Sequence, residues 1–203
     1  MNKILKIAGL IFLIILAVFA IRFLIGGSED DWICLDDQWV KHGAPSNAPP
    51  ETGCGEINSF ADCAKAGYPV MESYPRQCRA SGDKVFVEDI GNEMEKMDLI
   101  IISYPRPNQA IESPLDIEGQ ARGSWFFEGD FPVVLTDWDG LIIAEGYAMA
   151  QGNWMTEDFV EFKARFDFKK PQLYDNGTLI LRRDNPSGLP ENDDALEVPI
   201  FFK

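Results

Sequence analysis

The sequence predicts a mostly-β protein: a β-sandwich preceded by a small disulfide-stapled α+β segment and by an N-terminal transmembrane helix. Three observations carry that expectation. Residues 7–21 form a run of 15 residues with no charged or polar side chain. The four cysteines, Cys34, Cys54, Cys63 and Cys78, cluster in the segment that follows. From residue 99 onward, short apolar runs recur between clusters of Pro, Gly, Asn and Asp, which is the punctuation of short strands.

The first element is the anchor, residues 1–25. The apolar run extends through Ile4, Leu5, Phe23, Leu24 and Ile25, so that residues 4–25 are interrupted only by Lys6 and Arg22. A membrane-spanning helix needs about 20 apolar residues. Lys6 and Arg22 lie near its two ends, where long cationic side chains reach the headgroups. Lys3 and Lys6 favour a cytoplasmic N-terminus, which predicts a single-pass protein of the cell membrane with its C-terminal part outside the cytoplasm. The competing reading is a cleaved signal peptide with Val18-Phe19-Ala20 at the cleavage site. Both readings export the remainder.

The chain has 203 residues, of which 46% are hydrophobic and 12% aromatic. That is enough to build a core, and it excludes wholesale disorder. The formal net charge is −15, and all the acidic residues lie beyond residue 25. Such a surface repels phosphate backbones, so nucleic acid is excluded as a partner.

Residues 26–56 read as a tether followed by a Pro-rich disulfide loop. Gly26-Gly27-Ser28-Glu29-Asp30-Asp31 is a flexible, solvated start, and Pro45, Pro49 and Pro50 exclude regular structure in the loop. Four cysteines in an exported segment suggest two disulfides. A zinc site is the weaker reading, because there is no CxxC pair and His42 is the only histidine. The nearest-neighbour pairing within each small unit is Cys34–Cys54 and Cys63–Cys78. Trp32 and Trp39 are expected to pack against the first bridge.

Residues 57–97 read as a small cysteine-containing unit and a linker. Ser59 with Asp62 three positions on is a capping-box-like start for a helix ending at about Lys65, with Gly67 as the stop. Residues 68–74 look extended, residues 84–88 read as a strand, and a Cys63–Cys78 bridge would tie helix to strand. Residues 91–98 are polar and are read as the linker.

Residues 98–203 are the sandwich. Seven strands are expected, at 99–103, 115–121, 133–137, 141–150, 160–168, 177–182 and 197–202, and seven short strands with regular turn signals indicate a β-sandwich. Asp139-Gly140 and Asn176-Gly177 are both read as turns. Phe162, Ala164, Phe166 and Phe168 alternate, so they share one face.

A search for chemistry finds no catalytic constellation and predicts no cofactor. Nucleophilic catalysis needs an oriented base, and His42 stands in a Gly/Pro-rich segment. Ser113, Ser124 and Ser187 sit in turn contexts, where hydroxyls cap backbone groups. The acid pairs Asp137/Asp139 and Glu157/Asp158 also sit at expected turns, where acids serve solvation. Asp137 and Asp139, and the loop 191–194, are weak calcium candidates, since neither completes an EF-hand pattern; no metal is expected. The aromatic group Trp125, Phe126, Phe127, Phe131, Trp138 and Trp154 is the most informative. Adjacent Trp125, Phe126 and Phe127 cannot all face one core in a two-residue period. Arg122, Trp125, Phe126, Phe127 and Trp154 are therefore a candidate binding patch, against the alternative of a core with an apolar cover. Arg122 is expected to stack on one of these rings.

Tyr104-Pro105-Arg106-Pro107, Ser113-Pro114-Leu115, Gly119-Gln120-Ala121-Arg122-Gly123 and Trp125-Phe126-Phe127-Glu128 follow one another in the C-terminal half. Phe131-Pro132-Val133, Ala150-Gln151-Gly152-Asn153-Trp154-Met155 and Asn185-Pro186-Ser187-Gly188-Leu189-Pro190 continue the series. In these blocks residues 98–203 resemble the immunoglobulin-like domain of bacterial spore germination, the germination-associated Gmad type. The resemblance implies an exported immunoglobulin-like module of a bacterial cell envelope, with no catalytic residues to carry over. The expected function is therefore that of a membrane-anchored, non-enzymatic binding or structural module, outside the cytoplasm, whose partner is an envelope protein or a cell-wall polymer. The alternative is an accessory or enzyme-like protein acting on cell-wall glycan or peptide.

Overall fold

The computed structural model describes residues 31–35 and 38–203. The anchor expected at 4–25 and most of the tether lie outside the described residues, as does the side chain of Cys34. Among the described residues no helix is long and apolar enough to cross a membrane. The protein is mostly β, and it divides into two compact units after Val87.

In the first unit, strands β1 (Asp31–Leu35) and β2 (Gln38–His42) form an antiparallel pair. This hairpin was not expected, because the segment has too few apolar residues for a core. Hydrogen bonds hold it instead. The Trp32 indole N–H donates to the Asn47 carbonyl at 2.9 Å, and that of Trp39 to the Thr52 carbonyl at 2.6 Å. Each buries an aromatic body while satisfying its polar end, and each pins the Pro-rich loop to the strands.

Helix α1 (Phe60–Lys65) starts where the sequence predicts. The Asp62 N–H donates to Ser59 Oγ at 3.0 Å, and the Ser59 hydroxyl donates to Asp62 Oδ2 at 2.7 Å. The Ser59 hydroxyl, helped by the Asn58 N–H, holds the Asp62 carboxyl below its usual range. Gly67 follows the helix at φ +81°. The Cys63–Cys78 disulfide, with Cα atoms 6.0 Å apart, joins α1 to strand β4 (Gln77–Arg79). Strand β4 pairs with β3 (Val70–Met71) and β5 (Val85–Val87). The stretch expected to be extended over 68–74 keeps only the two residues of β3. Ile57, Phe60, Tyr68 and Phe86 pack around the buried disulfide, which takes the place of a larger core. Cys54 is disulfide-bonded as well; the partner expected for it, Cys34, has its side chain outside the described residues.

The second unit, residues 88–203, opens with the short helix α2 (Glu93–Lys96). Its strands are β6 (Ile100–Tyr104), β7 (Ala110–Ile111), β8 (Leu115–Arg122), β9 (Asp130–Asp137), β10 (Ile142–Ala150), β11 (Phe159–Phe166), β12 (Asn176–Arg182) and β13 (Ala195–Phe202). Hydrogen bonds order them β6-β8-β11-β10-β9-β12-β13-β7. The two ends of that order, β6 and β7, are joined by residues 105–109 alone, so the sheet must turn back on itself. The turning point is the β10–β11 junction, where only Met149↔Lys163 and Ala150↔Phe162 are paired. Across the resulting interior, the Phe131 and Phe162 rings meet edge-to-face with centroids 5.0 Å apart.

Alternation accounts for the rest of the packing. On β8, Leu115, Ile117 and Ala121 are buried while Asp116, Glu118 and Gln120 face water. The outward acids oppose cations across the ladder, Lys163 on Glu118 at 2.7 Å and Arg165 on Asp116 at 2.9 Å. These pairs reinforce register more than stability. The Phe162 face is as expected, with Phe166 and Phe168 packed against its outer end.

Two readings change. Asn176-Gly177 is not a turn; both residues are ladder members of β12, opposite Phe201 and Ile200. A Cβ at Gly177 would lie 2.3 Å from the Thr136 carbonyl oxygen and 2.7 Å from the Phe202 ring. The glycine is there for close packing. Residues 91–98, expected as a linker, pack on the edge of β13. The Asn92 amide donates to the Ala195 carbonyl at 2.9 Å and accepts from the Glu197 N–H at 2.8 Å, taking the place of a neighbouring strand. Glu93 is buried against Arg106 at 2.7 Å. A polar composition reads as a linker, but here the polar groups are the fasteners.

Candidate binding surface

The eight residues of β9 separate the two ends of the rolled sheet, about 25 Å apart at roughly 3.3 Å per residue. The candidate patch from the sequence lies at the end where β9 begins. Trp125, in a short 3-10 turn, is 1% exposed, and Phe126 is buried beside it with its ring 5.2 Å from that of Phe131. These two are core residues, because the turn breaks the two-residue period and rotates both rings inward. Of the three adjacent aromatics only Phe127, 41% exposed, faces water. Trp154 is half-buried and lies over Gly129 in the turn before β9. Arg122 stacks on Phe159 at 4.1 Å, not on a ring of the expected patch, and donates to the carbonyls of Asp98 and Glu157. The buried Trp125 N–H has no hydrogen-bond partner among the described residues. Nearby, burial first and then the Asp130 charge hold the Asp184 carboxyl above its usual range.

The other end carries a pair of exposed aromatics in contact with each other. Trp138 sits in the turn between β9 and β10, and Tyr174 in the segment between β11 and β12. Their rings meet edge-to-face with centroids 4.8 Å apart. Trp138 is 46% exposed, Tyr174 55% and Leu173 78%, with Leu141 exposed beside them. A cleft of about 410 Å³ runs along Trp138, Leu141 and Leu173, lined also by Asp137, Ile143, Lys169, Lys170, Pro171 and Gln172, with Tyr174 outside the lining. The turn that projects Trp138 is fixed by hydrogen bonds. Asp137 Oδ1 accepts from the N–H groups of Asp139 and Leu141 at 3.0 and 2.9 Å, and Gly140 takes φ +81°. Asp137 is thus a turn-capping acid. Among the described residues no cluster of three or more His, Cys, Asp or Glu side chains could hold a metal ion.

The expected turn serines also act on backbone: Ser113 Oγ accepts from the Phe168 N–H, and Ser187 Oγ from that of Leu189. Ser124 contributes its carbonyl to Arg183. Asp158 takes part in a local turn with Thr156, and His42 is exposed on β2. Sequence reasoning had grouped Trp138 with the other aromatics, and it missed Leu173 and Tyr174. The available signal was the strand-free, Pro-containing stretch 169–175 carrying two large apolar side chains where a loop is normally polar.

Residues 99–188 match the family model Gmad2, the immunoglobulin-like domain of bacterial spore germination. The match spans both ends of the rolled sheet and stops before β13, the strand that completes the pairing with β12 and β7. No curated protein matches the chain. A Gmad2 domain is consistent with a non-enzymatic structural or binding module, since immunoglobulin-like sandwiches present loops at their ends on a rigid scaffold.

Proposed function

We propose that the chain is a non-enzymatic binding module of the bacterial cell envelope. Residues 4–25 hold it in the cell membrane with the N-terminus cytoplasmic, and the immunoglobulin-like domain meets its partner outside. The observation that carries the binding reading is the exposed Trp138–Tyr174 pair at one end of the sheet, with Trp138 on a hydrogen-bonded turn. Large aromatics left in water on a rigid element cost solubility, and they supply much of the contact energy where recognition occurs. The export reading is supported by the uncharged run at 7–21, its basic N-terminal flank and the Cys63–Cys78 disulfide, a bond that persists in oxidising compartments. Asp184, the carboxylate held above its usual range, lies at the opposite end from the cleft, which does not favour hydrolysis there.

Two measurements test the reading. Protease added to intact protoplasts should digest the chain beyond the anchor; full protection contradicts the topology. Full-length protein should co-sediment with purified cell walls, and a Trp138→Ala variant of equal stability should stay in the supernatant. Equal sedimentation of the two contradicts the assignment of this surface.

A further inference from the structure

We infer that the cleft beside Trp138 is a site for an acidic glycan, a sugar ring bearing a carboxylate or phosphate; this rests on the binding reading above and names its ligand class. The volume, about 410 Å³, falls in the range of small-ligand clefts and suits one or two sugar rings. Its lining alternates apolar and polar groups in a way that a protein core or a lipid surface would not favour. Trp138, Leu141 and Leu173 supply apolar faces, while Gln172 and Lys169 supply hydrogen-bonding tips. Sugars have the matching construction: apolar C–H faces and a polar rim of hydroxyls. The quadrupole of an aromatic ring presents its negative face to such C–H groups. Tyr174 stands outside the lining and meets Trp138 edge-to-face at an interplanar angle of 68°, so it braces the one ring that faces the cleft.

The charge of the ligand rests on the two lysines that line the cleft, Lys169 and Lys170, of which one is already paired. Lys96, Arg106, Lys163, Arg165 and Lys170 each hold a carboxylate at 2.6 to 2.9 Å. Lys169 holds none among the described residues and is exposed at the cleft. The facing acid, Asp137, is turned into its own loop by two backbone N–H groups. An exposed cation with no carboxylate partner among the described residues, next to an exposed ring, complements an anionic substituent locally, against the repulsion of a net charge of −15.

The test is calorimetric titration of the full chain with three probes: a galacturonic acid hexamer, a maltohexaose carrying a 6-phosphate and the neutral maltohexaose. Binding of either acidic probe with maltohexaose at least about tenfold weaker supports the inference, and the better acidic probe tells carboxylate from phosphate. Trp138→Ala should weaken that binding by about tenfold or more. Lys169→Gln should weaken it by about fivefold and reduce its salt dependence. Equal binding of maltohexaose, no binding of any probe, or full affinity in Trp138→Ala overturns it. Should walls still sediment the protein while no probe binds, the envelope-binding reading stands and the glycan is the wrong class.

Discussion

Replacing Gly91 by alanine tests whether residues 88–98 belong to the domain. Gly91 has φ +66°, and a Cβ there would lie 1.9 Å from the Glu197 carbonyl oxygen on β13. The left-handed backbone costs a non-glycine residue about 1–2 kcal/mol. The contact cannot be relieved without moving the segment off β13, which breaks the two side-chain hydrogen bonds of Asn92 to that strand. At a net value of about 1 kcal/mol each, the whole comes to about 3–4 kcal/mol. With a urea slope of about 1.5 kcal/mol/M, the midpoint followed by circular dichroism should fall by about 2 M. Gly140→Ala is the control. It has φ +81° and nothing within 4 Å of the added methyl, so only the backbone term of about 1–2 kcal/mol remains. Equal midpoints for the two variants would refute the docking argument.

Three further outcomes follow from the packing and the charges. Trp125→Ala should cost about 3–5 kcal/mol, measured as a denaturation midpoint, because the side chain is 1% exposed; a near-neutral result would return Trp125 to the surface. Asp184 has its pKa raised by burial and then by Asp130, so the folded state binds that proton more tightly than the unfolded chain. The resulting loss of stability is absent below the ordinary value of 3.8 and grows as pH rises through the folded pKa. Asp184→Asn should therefore raise the melting temperature at pH 7 and leave it unchanged near pH 2.5, and the opposite pattern would contradict the cause. Reducing Cys63–Cys78 releases a loop of separation 15, worth about 3 kcal/mol to the first unit, while the unfolding of residues 88–203, which contain no cysteine, should not shift.

What the residues revealed depended on how local the signal was. The seven expected strands all appear, most within a residue or two of their expected limits, because apolar alternation and turn residues are short-range. The α1 cap was legible for the same reason: Ser59 and Asp62 are three residues apart and bond to each other. Long-range pairings were not legible. Asn92 meets Glu197 across 105 positions, and nothing near Asn92 announces that its amide completes a sheet edge. Strand β7 has two residues, too few for a period. Gly177 looked like a turn because Asn-Gly usually is one, whereas the deciding contacts, Thr136 and Phe202, are distant in sequence. The aromatic group was found, but its division into core and surface turned on a 3-10 turn at 123–125 that alternation does not encode.

Hydrogen exchange of the full chain, with and without purified cell walls, tests the central claim most directly. The account predicts slowed exchange at 138–141 and 169–175, the backbone around Trp138 and Tyr174, with little change at 123–130 and around Trp154. Protection at 123–130 and Trp154 instead, or no protection anywhere in residues 88–203, would contradict it.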